Sequence, residues 1–166
     1  PSSSLNKRVL NAINKADYVI ANSRFTKELA LKLGMKDVIV INPGCNYPIP
    51  INDEAMEFAK KIYGNASPKL ITISRLDGRK SHHNVMMTVK NLLPKYPSLK
   101  YVSIGDGDEG NNLLKLRKTL GLEKSVEFIF RSTEQEKVAL LEQSNIFVMP
   151  SVIYKKSVEG FGITYI

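Results

Sequence analysis

The sequence predicts an α/β fold, a parallel β-sheet with helices on both faces, and three observations carry that prediction. Short β-branched runs alternate with amphipathic stretches from one end to the other. Each run is about five residues long and apolar on both faces, as a strand buried within a parallel sheet must be. The polar, glycine-containing loops follow the runs, where an open α/β sheet binds its ligands. Alternation of this kind selects βαβ units with short connections over an all-α or an antiparallel design.

The elements follow in order. Leu5, Val9 and Ile13 form the first helical stripe, and "YVIA" from Tyr18 the first strand. Phe25, Leu29 and Leu33 form the next stripe, followed by "VIVI" from Val38. The stretch "NPGCNYPIPIND" then carries three prolines and a glycine, which suits a linker. Ala55, Phe58, Ala59 and Ile62 mark a helix beyond it, and "LITIS" from Leu70 a strand. Met86, Val89 and Leu93 precede "YVSIG" from Tyr101; Leu113, Leu116 and Leu120 precede "VEFIF" from Val126. Ser132 with Gln135 fits a capping box that opens a helix through Leu141, before "IFVMP" from Ile146. The chain thus divides into a two-strand piece up to about Asn46 and a larger α/β unit from about residue 66, joined by a segment with one helix. Two strands are too few for a stable domain, so the first piece is expected to be the tail of a domain whose front is missing.

Composition narrows the setting. The 166 residues are 43% hydrophobic and 24% charged, ordinary for a folded chain. No run approaches the roughly 18 apolar residues needed to cross a bilayer, and "PSSSLNKRVL" has no signal-peptide core. A cytoplasmic location is expected. The lone Cys45 cannot form an internal disulfide and reads as a small packing residue. A formal charge of +8 favours anionic partners without choosing among nucleic acid, lipid head groups and phosphorylated small molecules.

The strand-end loops carry the chemistry. After "LITIS" come Arg75 and Lys80 in "RLDGRKSHHN". Two cations on one rim loop, beside helix-start N–H groups, suit a diphosphate, although ordinary solvated charges would look the same. Asp106 and Asp108 in "GDGDEG" form an Asp-x-Asp pair. A calcium loop is excluded, because Asn111 stands where glycine is required and no Glu closes the loop at its twelfth position. A turn that tolerates positive φ and caps a helix explains the pair better than a metal does. His82 and His83 are adjacent and point apart, so they read as helix-start or surface residues, with a phosphate contact open to whichever lies near Lys80. In "VEGFG", Gly160 and Gly162 let the backbone approach a ligand and start a helix, and Glu159 either accepts hydroxyl hydrogen bonds or complements the helix dipole.

Taken together, these motifs resemble the retaining GT-B-fold glycosyltransferases of the group-1 family, which use nucleotide-sugar donors. "ADYVIANSRFTKELALKLG" with "VIVINPG" resembles the end of the family's acceptor domain. "ISRLDGRK" resembles its Arg-Leu-x-x-x-Lys loop, "SIGDG" its glycine turn, "VEFIF" its next strand, and "VMPSVIYKKSVEGFG" its donor-site signature. Six weak matches in register make a strong one. The resemblance implies a Rossmann-like, incomplete donor domain at 66–166, a linker with a helix at 48–65, and the C-terminal part of the acceptor domain at 1–47.

The resemblance assigns roles. Arg75 and Lys80 would bind the donor diphosphate and support it as it departs, and Glu159 would hold hydroxyls of the transferred sugar. Phe161 and Gly162 would offer backbone N–H groups, with further donor contacts at Gly105, Phe130, Arg131, Gly160, Ile163 and Thr164. The second family glutamate falls one position past Ile166, so the chain is expected to be an inactive fragment cut through the donor site. The implied partners are a nucleotide sugar and a glycan or lipid-linked acceptor, with room for a peripheral membrane contact; no cofactor, metal or nucleic acid is expected. Ser81 and Phe130 stand where the family usually has glycine, and Asn46 where aspartate is common. A side chain at Phe130 would narrow the nucleobase slot. Two other functions remain open on the residues alone. A non-catalytic nucleotide or phosphate module would use the same loops, and a nucleic-acid surface would bind with steep salt dependence.

Overall fold

The computed structural model describes residues 4–13, 15–45, 49–155 and 157–166, with side chains from Arg8 onward. Asn46 and the Leu5 side chain lie outside the described set. By its contacts the chain forms two compact units, Pro1–Cys45 with Glu159–Ile166, and Asn46–Val158.

In the first unit, α1 (Ser4–Ile13) precedes β1 (Val19–Ala21), α2 (Arg24–Lys32) and β2 (Val38–Val40). The strands pair in parallel, Val19 with Val38, Ile20 with Ile39 and Ala21 with Val40. Ser23 caps α2, its hydroxyl accepting from the Thr26 N–H at 3.0 Å. Ala21, Ala30 and Val38 form a small core with Val19 and Met35 packed against it. The expectation of strands buried on both faces fails here. Ile20 and Ile39, partners in the ladder, are 65% and 45% exposed. One helix covers one face of a two-strand ladder, and no described element of this unit covers the other.

The second unit contains α3 (Asp53–Tyr63), β3 (Lys69–Ile73), α4 (His82–Leu92), β4 (Lys100–Ile104), α5 (Gly110–Thr119), β5 (Val126–Ile129), α6 (Glu134–Glu142) and β6 (Ile146–Phe147). Its sheet is wholly parallel in the order β5-β4-β3-β6. Both faces are clad. Leu70, Tyr101, Val126 and Phe128 pack with Val85, Met86 and Val89 of α4 and Leu113 of α5. Ile71, Val102 and Ile104 pack with Ala55, Ala59 and Tyr63 of α3 and Ala139 and Leu140 of α6. Alternation along β3 and β4 sends successive side chains to opposite cores, each large buried side chain worth about 1.5–3 kcal/mol. The helix from the linker segment, α3, is therefore part of this unit's core.

Two local expectations need correction. The capping box that opens α6 is Thr133 with Glu136, not Ser132 with Gln135. Both pairs fit the spacing, but a carboxylate at the third helical position accepts the Thr133 N–H more strongly than an amide and complements the dipole. The Ser132 hydroxyl is left buried without a partner. After Gly162 the chain makes one 3-10 turn, Ile163–Tyr165, rather than the start of an α-helix. Its bonds, Tyr165 N–H to the Gly162 carbonyl and Ile166 N–H to the Ile163 carbonyl, close i to i+3 rings.

Candidate functional site at the carboxyl ends of the strands

The connection from β5 passes through α6 and crosses over to β6, on the far side of β3. The order of strands therefore reverses between β3 and β6, and the crevice outside their carboxyl ends is where such sheets bind ligands. Arg75 lies two residues past β3, exposed. Lys80 ends a 3-10 turn, Gly78–Lys80, that Asp77 caps by accepting the Lys80 N–H at 3.1 Å. Contrary to the picture of two rim cations, Lys80 is only 8% exposed, and its Nζ lies 3.3 Å from Sδ of Met149, past the end of β6. Lys80 is buried and Arg75 exposed, so the two cations occupy different depths.

The loop that carries Arg75 is bound to its neighbours through the backbone. Ser74 N–H donates to the Ile104 carbonyl, Leu76 N–H to that of Asp106, and Glu109 N–H to that of Leu76, all at 3.0 Å. Gly105 N–H continues the ladder to the Ile129 carbonyl. Gly105 itself has φ +139, and a Cβ there would land on the Ser74 carbonyl oxygen, next to the Arg75 nitrogen. Glycine is the residue that lets the β3 and β4 loops meet. The structure thus brings Arg75, Gly105 and the end of β5 together along one sheet edge.

Past β5, Phe130 stacks on Phe128 with centroids 6.4 Å apart and lies against Gly110, where a Cβ would stand 3.2 Å from its ring. Its outer edge is exposed, as is Arg131. Asp106 Oδ1 accepts the Gly107 N–H at 2.8 Å, the turn role expected of it. Asp108 lines a cavity of about 340 Å³ with Asp77, Arg79, Glu109, Tyr154 and Lys155. Arg79 there faces Asp77 at 3.8 Å. Among the described residues no three His, Cys, Asp or Glu side chains gather as a metal site. No described helix is long and apolar enough to cross a membrane. Cys45 is exposed rather than packed, its thiol 3.5 Å from the Ile166 carbonyl.

The remaining candidates belong to the first unit. Thr26 Oγ1 lies within hydrogen-bond reach of the Gly160 carbonyl, at 3.2 Å, and of Asn22 Oδ1, at 2.7 Å. Gly162 is buried at φ +79, with the Tyr165 ring where a side chain would be. Glu159, Phe161 and Thr164 are half-buried and Ile163 is exposed. Burial first, and the Glu159 carboxylate second, push the Tyr165 phenol above its ordinary value, so the carboxylate and this ring share an environment.

One group was not anticipated. His82 is 2% exposed, buried beneath the β3 loop rather than on the surface, while His83 is exposed. Its Nε2 lies 3.3 Å from the Arg75 carbonyl and 3.2 Å from Ser74 Oγ; its Nδ1 lies 3.1 Å from the Tyr101 hydroxyl and 3.2 Å from Ser103 Oγ. Tyr101 donates to Thr72 Oγ1 at 2.8 Å, and Thr72 donates to the Val148 carbonyl. Burial lowers the His82 pKa, favouring the neutral ring, and pushes that of Tyr101 up to about 12. The sequence does contain a signal. Thr72 and Ser103 are polar residues inside strand runs that are otherwise apolar, paired in register on one sheet face.

The sheet order and the strand-end loops define a Rossmann-like architecture of the GT-B kind. A family profile described as glycosyl transferases group 1 matches residues 53–166. An uncharacterized glycosyltransferase of Methanocaldococcus jannaschii, MJ1059, is 30% identical over 102 residues, which is 61% of this chain and 25% of that protein. The crystal structure of Anabaena Alr3699/HepE with UDP and glucose superposes with a TM-score of 0.78 at 23% identity, covering 98% of this chain and 45% of that one. The pneumococcal O-GlcNAc transferase GtfA, in complex with UDP and GlcNAc, gives a TM-score of 0.71 at 19% identity, over 96% and 29% of the two chains. This chain belongs to the group 1 glycosyltransferases. It spans less than half the length of each of these relatives.

Proposed function

We propose that this chain carries the nucleotide-sugar-binding part of a retaining glycosyltransferase, and that its second unit receives the donor diphosphate at the carboxyl ends of β3 and β6. The observation that carries this reading is Arg75, exposed at the strand-order reversal on a loop that backbone bonds and Gly105 hold in place. A charge-assisted contact from such a guanidinium contributes about 1.5–3 kcal/mol. Lys80 adds charge from beneath, and its burial strengthens its field in the crevice.

In the reaction the anomeric C–O bond to the diphosphate breaks while the acceptor oxygen bonds to the same face of the sugar. The acceptor proton passes to an oxygen of the departing phosphate. Negative charge grows on that phosphate, so fixed cations lower the barrier more than they stabilise the bound donor. Glu159 takes the role that the family resemblance gives it, accepting hydrogen bonds from the transferred sugar. A glycan or lipid-linked saccharide is the proposed acceptor.

The donor base is read from relatives. UDP accompanies the Anabaena and pneumococcal proteins, and ADP accompanies the catalytic domain of Arabidopsis starch synthase IV, similar at a TM-score of 0.60. Titration with UDP-, GDP- and ADP-glucose tests the reading. One nucleotide class is expected to bind, and Arg75→Ala to weaken it by about tenfold or more. A folded chain that binds none of the three, or binds one equally well without Arg75, would overturn it.

A further inference from the structure

His82 bears on how Arg75 is held. A carbonyl only accepts, so the contact with Arg75 requires the proton on Nε2. Thr72 donates to the Val148 carbonyl, so its oxygen takes the Tyr101 proton, and Ser103 is left to donate to Nδ1 of a neutral ring. In this arrangement Ser103 and the Arg75 carbonyl are partnered by the two ring nitrogens, while the Tyr101 oxygen, 3.1 Å from Nδ1, directs its proton to Thr72. The arrangement runs from the sheet interior to the backbone of Arg75 and no further, since His82 is too deep to meet a ligand.

We propose that His82 is a positioning residue for the diphosphate: its Nε2–H holds the Arg75 carbonyl, and so sets where the guanidinium emerges from β3. The inference rests on the reading of Arg75 as a diphosphate ligand. The Arg75 carbonyl also accepts the Asp77 N–H at 3.0 Å and the Ser74 hydroxyl at 3.3 Å, so losing the His82 donor loosens the peptide that carries Arg75 rather than releasing it. Both hydrophobic cores stay in place, and anion binding weakens beyond any loss of stability.

Two substitutions separate this role from that of a buried polar plug. The Gln amide nitrogen falls near the position of Nε2, whereas the Asn amide falls near Nδ1. His82→Gln therefore keeps the Arg75 contact and loses the Ser103 side, and His82→Asn does the reverse. Calorimetric titration with UDP and with inorganic pyrophosphate, alongside thermal melts, is the test. We expect Gln to bind within about threefold of the native chain and Asn about tenfold more weakly, though both melt earlier. Tyr101→Phe and Ser103→Ala, which touch only the Nδ1 side, should lower the melting temperature and leave affinity unchanged, and they carry the test if His82→Asn does not fold. Equal affinities for the Gln and Asn variants, or weaker binding by Tyr101→Phe or Ser103→Ala, would overturn the role of His82. If Arg75→Ala alone loses binding, only the His82 inference falls. If the native chain binds neither probe, or Arg75→Ala binds as the native chain does, the diphosphate reading falls and takes His82 with it.

Discussion

The two units solve the same problem with unequal means. Each starts from apolar strand runs of similar character, "YVIA" and "VIVI" in the first, "LITIS" and "YVSIG" in the second. In the second, four parallel strands lie between two helical layers, and Ile71, Tyr101 and Val102 are fully buried. In the first, two three-residue strands share one covering helix, and Phe25, Leu31, Leu33 and Ile41 join Ile20 and Ile39 in exposure. A run of β-branched residues states a demand for burial on two faces. Whether that demand is met depends on how many layers are present, a property of the assembly of elements rather than of the run.

The largest test of this contrast is Gly105→Ala. A Cβ at φ +139 against the Ser74 carbonyl forces the two loops apart, and we expect a loss of about 3 kcal/mol or more in urea denaturation, with loss of UDP binding. Core truncation sharpens the comparison next. Met86→Ala, fully buried in the second unit, should cost about 2–5 kcal/mol, whereas Ile20→Ala, exposed in the first, should stay within about 0.5 kcal/mol. A comparable cost at both sites would mean that Ile20 is covered in solution.

Acid adds a third test. His82 has a folded pKa below its unfolded value near 6.5, so below that pH the unfolded chain binds more protons than the folded one. Its contribution is full above about pH 6.5 and is lost as pH falls through the folded pKa. Urea midpoints between pH 7 and pH 5 should therefore decline for the second unit, and His82→Gln should flatten that part of the decline. The smallest effect is a gain. Ser81 sits buried in the left-handed region at φ 61, where the Asn84 amide donates to its hydroxyl at 2.7 Å. Ser81→Gly should relieve the strain and raise stability by about 0.5–1 kcal/mol, read from the same denaturation curves.

That position shows how sequence and structure divide the work. Ser81 was visible as a departure from a glycine pattern, and its backbone angle supplies the reason for the pattern. Phe130 was visible in the same way; the structure shows its ring seated on Phe128 and Gly110 with one edge free. The competing caps at Ser132 and Thr133 were indistinguishable by spacing, because both place an acceptor three residues on. Adjacency of His82 and His83 says only that the two point apart, not which of them points inward.

By itself the sequence determined the six strands, the helices between them and the loops that bear Arg75 and Gly105, since period, propensity and turn chemistry are local and survive without neighbours. Only the tertiary structure decided which apolar faces are covered, which of two cations is buried, and that one histidine joins Thr72, Tyr101 and Ser103 beneath Arg75. Those outcomes depend on residues far apart in the chain being brought within hydrogen-bond distance. Strand order and register set that distance, and no local pattern encodes it.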